Sequence, residues 1–524
     1  MLLPNKLFKR LLSSSATTHN TIQTRPAPSK AHLAVTPPST SLPKGYIVGA
    51  THCGIKKSKA TPPKLDLGLI VSTSPYPTSA AASFTRNAFR AAPVLVSDEV
   101  VRKRGGYARG VIVNSGCANA VTGSKGMEDA WSMVREGGKV VAEFTKNSKA
   151  SKLGGEDPDV LVMSTGVIGV NLPMSKILDG IRSFTSTKSS TLSDTPSSWI
   201  DLAHAFMTTD TFPKLRTRTF KIREQEYRLA GIDKGAGMIH PDMGPASTSF
   251  ALSAETSSRQ LHATLLGCIV TDAPIGRLTI SVDGDMSTND TVILLANGAA
   301  HAEAMGALKD AEEPTPIDQE VDPDAYTTFR DELTSFAQEL AQLVVRDGEG
   351  ATKFVQVTVK GAPTYASAHA IASRISTSAL VKTALYGEDA NWGRILAATG
   401  SVPLSSPSSL DSPTTVTTEH PKIDPSKVSV TFLPSSTLSD QSPLTVLLKG
   451  EPHPFSEARA KEILKEEEFE VVVDLGLGGG KGEEARYWTC DLSYLDCLEK
   501  TAFTQFVVYL HTLEYVRING DYRS

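Results

Sequence analysis

The sequence predicts an α/β or α+β fold. Short apolar runs of strand length alternate along the chain with stretches of helical apolar spacing, and no internal repeat of fixed period is visible. The chain has 524 residues, 40% of them hydrophobic and 21% charged. That composition is close to ordinary globular usage, and the length suggests core for about two to four domains.

Tyr46-Ile47-Val48 reads as a strand, followed by a loop of small residues from Gly49 to Lys59. Leu65–Val71 alternates and then runs apolar, as a half-buried strand does. Ala80–Ala92 reads as helix from its run of alanines. Gly110–Val113 and Val160–Met163 are buried strands, each ending in a loop of Gly and small polar residues, and Gly126–Phe144 has helical spacing. Ile177–Ile181 and Trp199–Phe206 read as helices, and Thr217–Ile222 with Tyr227–Ala230 as a hairpin. Asp331–Val345 is helical by period, Phe354–Val359 a strand, Ile371–Thr383 a helix and Phe469–Leu475 a buried strand. Ser405–Pro421 is a Ser/Thr/Pro-rich surface loop.

Charge and cysteines narrow the class. Formal net charge is −4 without a long basic block, which argues against a nucleic-acid surface. Apolar runs such as Thr264–Val270 and Val292–Ala296 fall far short of the about 20 residues that cross a bilayer. The five cysteines, at 53, 117, 268, 490 and 497, are scattered without a CxxC pair. A disulfide framework or zinc site is not expected, and a reducing internal compartment fits. From Met1 to Leu65 there is no Asp or Glu. The opening residues mix apolar and basic side chains and then run into Ser13-Ser14-Ser15, the make-up of an organellar transit peptide. Pro26–Pro43 reads as an unstructured lead-in, being rich in Pro and Ser.

Four stretches could carry chemistry. Thr165-Gly166 follows an apolar strand and either is a plain turn or lets a glycine N–H and a hydroxyl stabilise an oxyanion. The loop Lys234-Gly235-Ala236-Gly237-Met238 opens on a lysine that either binds a carboxylate or faces solvent. Asp283–Thr291 resembles a calcium loop, but its sixth position is Thr288 where that turn requires glycine. Asp474–Lys481 fails the dinucleotide pattern, because the third glycine falls on Lys481 and the next segment reads as strand. A fifth stretch, Leu261–Ala273, holds Thr264 between small and apolar residues. Read locally, this threonine packs in a buried element.

Together these pieces resemble the glutamate N-acetyltransferase / ornithine acetyltransferase family of the cyclic arginine pathway, closest to its mitochondrial fungal branch. The resemblance covers most of the chain after the leader. It rests on Thr51–Lys56, Asn114–Asn119, Ser164–Gly169, Met207–Thr211, Lys234–Met238, Ser281–Asp285, Asp347–Lys353, Asn391–Ile395 and Val516–Ser524. It implies a layered α/β fold of N-terminal-nucleophile type, self-cleaved at Ala263–Thr264 into α and β chains. The division would be a mitochondrial leader at 1–30, an α chain at 31–263 and a β chain at 264–524. It implies Thr264 as nucleophile, Thr165 and Gly166 as the oxyanion hole, and Thr208, Lys234, Thr264, Glu349, Asn519 and Ser524 as substrate contacts. Thr209 is the alternative to Thr208, since the motif repeats the residue. The implied reactions are acetyl transfer from N2-acetyl-L-ornithine to L-glutamate and acetylation of glutamate by acetyl-CoA as co-substrate. No metal or bound organic cofactor is expected, and the fragments would form an α2β2 assembly in the mitochondrial matrix. Segments 245–260, 274–280 and 495–513 differ from the family pattern. Two other readings stay open on the residues alone: an N-terminal-nucleophile amidase or aminopeptidase, and an inactive relative.

Overall fold

The computed structural model describes residues 27–57, 60–145, 159–185, 192–235, 243–245, 266–275, 288–301, 314–404, 422–477 and 482–492. Ala263, Thr264, Asn519 and Ser524 lie outside the described residues. So do the Ser405–Pro421 loop, most of Asp283–Thr291, Gly478–Lys481, and nearly all of the three segments that differ from the family pattern.

Among the described residues the strands form three sheets. The first has the order β1 (Tyr46–Thr51), β2 (Leu67–Ser72), β4 (Gly110–Cys117), β5 (Val160–Val167). Only its β4–β5 pair is parallel, so the chain needs a crossover, and helix α2 (Gly123–Thr145) supplies it. The second sheet runs β6 (Lys214–Ile222), β7 (Gln225–Lys234), β9 (Leu266–Thr271), β10 (Thr291–Ala296), β3 (Ser79–Thr85), β8 (Met243–Pro245).

These two sheets share one core. Leu69, Ile70, Val111 and Val113 of the first pack in the same cluster as Ile232, Leu266, Cys268, Val270, Ile293 and Leu295 of the second. Outside the first sheet lie α2 and α3 (Met174–Ser183), and outside the second lies α5 (Pro323–Arg346), giving a helix–sheet–sheet–helix stack. Glycines let the layers close: a Cβ on Gly137 of α2 would stand 2.3 Å from Ile112, and one on Gly231 of β7 would stand 2.4 Å from Leu340 of α5. Helix α4 (Pro196–Phe206) touches both sheets. It buries Leu202 and Phe206, each worth about 1.5–3 kcal/mol.

The third sheet has the order β14 (Glu451–Pro452), β13 (Leu444–Leu448), β12 (Ser429–Leu433), β15 (Glu468–Asp474), β11 (Phe354–Ala362), β16 (Glu483–Cys490). It builds a separate core with α6 (Tyr365–Ser376), α7 (Ala379–Tyr386), α8 (Trp392–Gly400) and α9 (Glu457–Lys465).

The layered α/β expectation holds, and several elements differ from their sequence reading. Residues 79–85 are strand β3, not helix, and the helix of this region is α1 (Ala92–Lys103), opened by Pro93 in its first turn. Alanines favour helix intrinsically, but all seven residues of β3 are buried and pair with β10 and β8. Tertiary pairing overrides propensity there. The single helix expected over Ile371–Thr383 is two, because Ser378 accepts the Val381 N–H and starts α7. The described part of the lead-in, residues 27–43, packs on the fold rather than being unstructured. Residues Ala31–Leu33 and Ser39–Ser41 form 3-10 turns, Leu42 enters the main core, and Arg216 and Arg228 donate to the carbonyls of Leu33 and Thr40.

Candidate active site

Strands β4 and β5 run past the length read from sequence, and their last residues form the first half of the site. Ser115 stands opposite Thr165 and Gly116 opposite Gly166, with a bulge at Cys117. Gly166 has φ +127°, a region that L side chains rarely adopt, and a Cβ there would lie 2.3 Å from the Gly116 carbonyl carbon. Thr165 is buried and Gly166 is exposed. The sequence pattern of an apolar strand ending on glycine therefore marks a backbone that opens to solvent where it leaves the core.

This strand end is tied down from both sides. The Asn289 amide donates to the Ser164 carbonyl at 2.8 Å and to the Ala118 carbonyl at 2.6 Å. Ser164 donates to the Asn114 side chain, whose amide donates on to the Cys117 carbonyl. Ala118 N–H donates to the Val167 carbonyl, and Gly169 N–H to that of Ala120.

Asn289 also brings the second sheet to the first. It stands two residues before β10, whose first residue Thr291 pairs with Leu266, the first residue of β9. Leu266 pairs on its other side with Lys234, the last residue of β7. The start of β9, two residues after Thr264 in sequence, is thus brought to the same end of the stack as Ser164-Thr165. Lys234 closes that row and is only 8% exposed, so the lysine itself does not face solvent; Ala236–Met238 lie outside the described residues.

Around Lys234 sits a buried ionic cluster. Lys214 Nζ donates to Asp210 Oδ1 and to Asp347 Oδ2, each at 2.6 Å, and all three side chains have no exposed surface. Its ammonium lies 4.8 Å from the Phe212 ring centroid. Burial pushes the Asp210 carboxyl up, but Lys214, Lys234 and donated hydrogen bonds outweigh it and hold it below the usual range. Burial lowers the Lys234 ammonium, with Asp210 opposing. Removing one partner of such a buried pair costs about 3–5 kcal/mol, since the other charge is stranded.

Thr208 and Thr209 play different parts. Thr208 N–H donates to Asp210 Oδ2 at 2.7 Å, whereas the Thr209 hydroxyl donates to Glu349 Oε1 at 2.5 Å. Lys56 joins the site from the first sheet. Its stem passes Gly116, and its ammonium donates to the carbonyls of Leu65 and of His204 near the end of α4. Burial brings it down to about 8. A cation at a helix C-terminus is favoured by the helix dipole.

Lys234, Thr208 and Glu349 are therefore linked through Gly235, Asp210 and Thr209, and Thr165-Gly166 connects to Lys234 through Asn289 and the pairing of β10 with β9 and β9 with β7. Asp210, Lys214, Asp347, Asn289 and Lys56 were not singled out from sequence. Four of the five stand inside stretches already noted, Thr51–Lys56, Met207–Thr211, Asp283–Thr291 and Asp347–Lys353, but single residues in such stretches do not announce a partner more than 100 positions away.

Asp233, opposite Lys214 on the β6–β7 hairpin, has its carboxyl pushed up to about 7 by burial; Lys214 opposes and Asp210 adds to the rise. A carboxyl raised from its unfolded value of about 3.9 stabilises the fold fully below that value. The contribution is lost as pH rises through about 7. Asp233→Asn is therefore expected to gain stability relative to the parent as pH rises from about 4 to about 7, read from urea midpoints across that range. Parallel pH curves for the two proteins would contradict this.

Fold and site define a layered α/β protein in which an exposed glycine backbone at the end of β5 and a buried lysine at the end of β7 stand at one end of the two-sheet stack. The ArgJ family matches residues 47–497. The "Arginine biosynthesis bifunctional protein ArgJ, mitochondrial" of Coprinopsis cinerea is 56% identical over 99% of this chain and 99% of its own length. The protein of the same name from Laccaria bicolor is 56% identical over 96% of this chain and 98% of its own. A crystal structure of arginine biosynthesis bifunctional protein argJ from Bacillus halodurans, 34% identical, has a TM-score of 0.33 and covers 40% of this chain and 95% of that one. The chain belongs to the ArgJ family.

Proposed function

We propose that this chain is a mitochondrial acetyltransferase of arginine biosynthesis that moves the acetyl group of N2-acetyl-L-ornithine to L-glutamate, and that also acetylates glutamate from acetyl-CoA. Family membership over nearly the whole length supports the activity and the mitochondrial location. The observation that supports the substrate reading is that a buried lysine, Lys234, and Glu349 flank one ionic cluster, Gly235 bonding Asp210 on one side and Thr209 bonding Glu349 on the other. N-acetylornithine carries a carboxylate and an ammonium, and those two side chains match them in charge.

The proposed chemistry follows from the residues. The chain cuts itself at Ala263–Thr264, which makes Thr264 an N-terminal residue. Its α-amino group, with a reference pKa of about 7.7–8.0, takes the proton of its own hydroxyl. The hydroxyl oxygen attacks the acetyl carbonyl, and Thr165 with the Gly166 backbone stabilises the resulting oxyanion. The tetrahedral centre collapses, the amine nitrogen of ornithine takes the proton and leaves, and an acetyl ester remains on Thr264. The glutamate amine then attacks that ester, and the Thr264 oxygen recovers its proton. Thr208, Asn519 and Ser524 complete the substrate contacts, and the matrix enzyme would assemble from two α and two β fragments. No step uses a metal or a bound organic cofactor.

Ornithine release from N-acetylornithine, measured with and without glutamate, tests the reaction type. Release that requires glutamate supports the transferase, and release at full rate without it would replace this reading with an amidase. Glu349→Gln is expected to raise KM for N-acetylornithine by about tenfold or more, since a charged partner is worth about 1.5–3 kcal/mol. Acetyl-CoA-dependent acetylation of glutamate should change much less. Equal losses in both assays would contradict the ammonium role.

A further inference from the structure

We infer that Lys214, through Asp210 and Asp347, sets the spacing between the carboxylate-binding and ammonium-binding ends of the site, and so selects substrate by chain length. This rests on the proposed roles of Lys234 and Glu349. Lys214 is the first residue of β6, held in register opposite Asp233 on the rigid β6–β7 hairpin. From that fixed point its ammonium reaches two carboxylates on separate segments. Each carboxylate then holds a different part of the site.

Asp210 holds the lysine end. Its Oδ1 accepts the Gly235 N–H at 3.2 Å, directly after Lys234, and its Oδ2 accepts the Thr208 N–H at 2.7 Å. Asp347 holds the glutamate end. Its Oδ2 accepts the Thr211 N–H at 3.0 Å, its Oδ1 accepts the Thr211 hydroxyl, and it stands at the end of α5 two residues before Glu349. Thr209, between the two carboxylate-held residues Thr208 and Thr211, bonds Glu349 itself. One bonded path from Lys234 to Glu349 runs through Gly235, Asp210 and the Thr208–Thr211 turn, and another through the Asp233–Lys214 strand pairing and Asp347. The paths cross from residues 208–235 to residues 347–349, which fall on opposite sides of the proposed cut at Ala263–Thr264. The cluster therefore also joins the two fragments at the point where one ligand would touch both.

Lys214, Asp210, Asp347 and Thr211 are positioning residues: none of the four is assigned a contact with the ligand. A loss of fold alone would reduce turnover of all donors alike, so the discriminating quantity is a ratio. In the full-length enzyme, kcat/KM is measured for N2-acetylornithine and for its homologue with one more methylene, N2-acetyllysine. Asp347→Asn keeps the side-chain shape but removes the charge that meets Lys214. It is expected to lower the ornithine-to-lysine preference by about tenfold, the size of effect one methylene has in a fitted pocket. Thr211→Val, which leaves the Lys214 pairs and the residue 211 N–H bond intact but removes the hydroxyl bond to Asp347, is expected to lower it in the same direction and decides the matter if Asp347→Asn does not fold. A folded variant with lower rates but an unchanged preference would overturn the inference. Failure of the parent enzyme to transfer acetyl from either donor would instead count against the proposed function.

Discussion

Thr264→Ala is expected to give a single unsplit chain with acetyl transfer at background. The proposed mechanism asks three things of this residue. Its hydroxyl attacks the peptide bond before it, its hydroxyl later attacks the acetyl carbonyl, and the amine freed by the first reaction is the base for the second. Alanine removes the nucleophile, and because the bond is then not cut it withholds the base as well. Losses of nucleophile and base in such a unit do not add, so the drop is set by the unit as a whole, about 10⁴-fold or more in kcat. Denaturing electrophoresis reads the first consequence and ornithine release the second. Thr264→Ser keeps a hydroxyl and an amine and should keep both activities in part. A Thr264→Ala chain that still splits, or still transfers, contradicts the assignment.

Gly166→Ala has the next largest effect. At φ +127° the backbone is strained for any L residue, and the added carbon would meet the Gly116 carbonyl carbon at 2.3 Å and the Cys117 nitrogen at 2.6 Å. Those are backbone atoms and cannot rotate away as a side chain could. The two strands cannot part either, because Asn289 bonds to both Ser164 and Ala118, and Ala118 bonds to Val167. The expected result is a displaced residue 166 N–H, with acetyl-enzyme formation slowed by about 10²–10³-fold, the cost of losing one oxyanion donor. Single-turnover release of ornithine at saturating N-acetylornithine measures it. A rate within threefold of the parent, about 0.65 kcal/mol, would show that the Gly166 N–H does not stabilise the transition state.

How far the sequence was legible depends on the range of the interaction involved. The β6–β7 hairpin was visible because its alternation is local and its Arg223–Glu224 turn is short. Long helices such as α2 and α5 were visible from period alone. Strand β3 was misread because Ser79–Thr85 is rich in alanine, and its partner β10 lies more than 200 residues away. The break between α6 and α7 hung on one capping serine inside an otherwise periodic run.

The site divides in the same way. Gly166 and Lys234 stood in recognisable loops, and Glu349 in a short acidic motif. The cluster that joins them was not legible, since nothing in the sequence around Lys214 marks a lysine that folding sets between Asp210 and Asp347 with no exposed surface. A lysine four residues from one aspartate and 133 from the other carries no sign of being shared between them. The ordered lead-in was missed for a related reason. Its Pro- and Ser-rich composition was read as a lack of structure, while Leu42 and the carbonyls of Leu33 and Thr40 find their partners on the second-sheet side of the fold.

The central claim is an acetyl group carried by Thr264 after self-cleavage. The most direct measurement is the intact mass and N-terminal sequence of the expressed protein, before and after mixing with N-acetylornithine in the absence of glutamate. The account predicts two fragments, the second beginning at Thr264, and a gain of one acetyl group on that threonine which glutamate then removes. An unsplit chain that transfers acetyl groups, or an acetyl group found on any other residue, would contradict it.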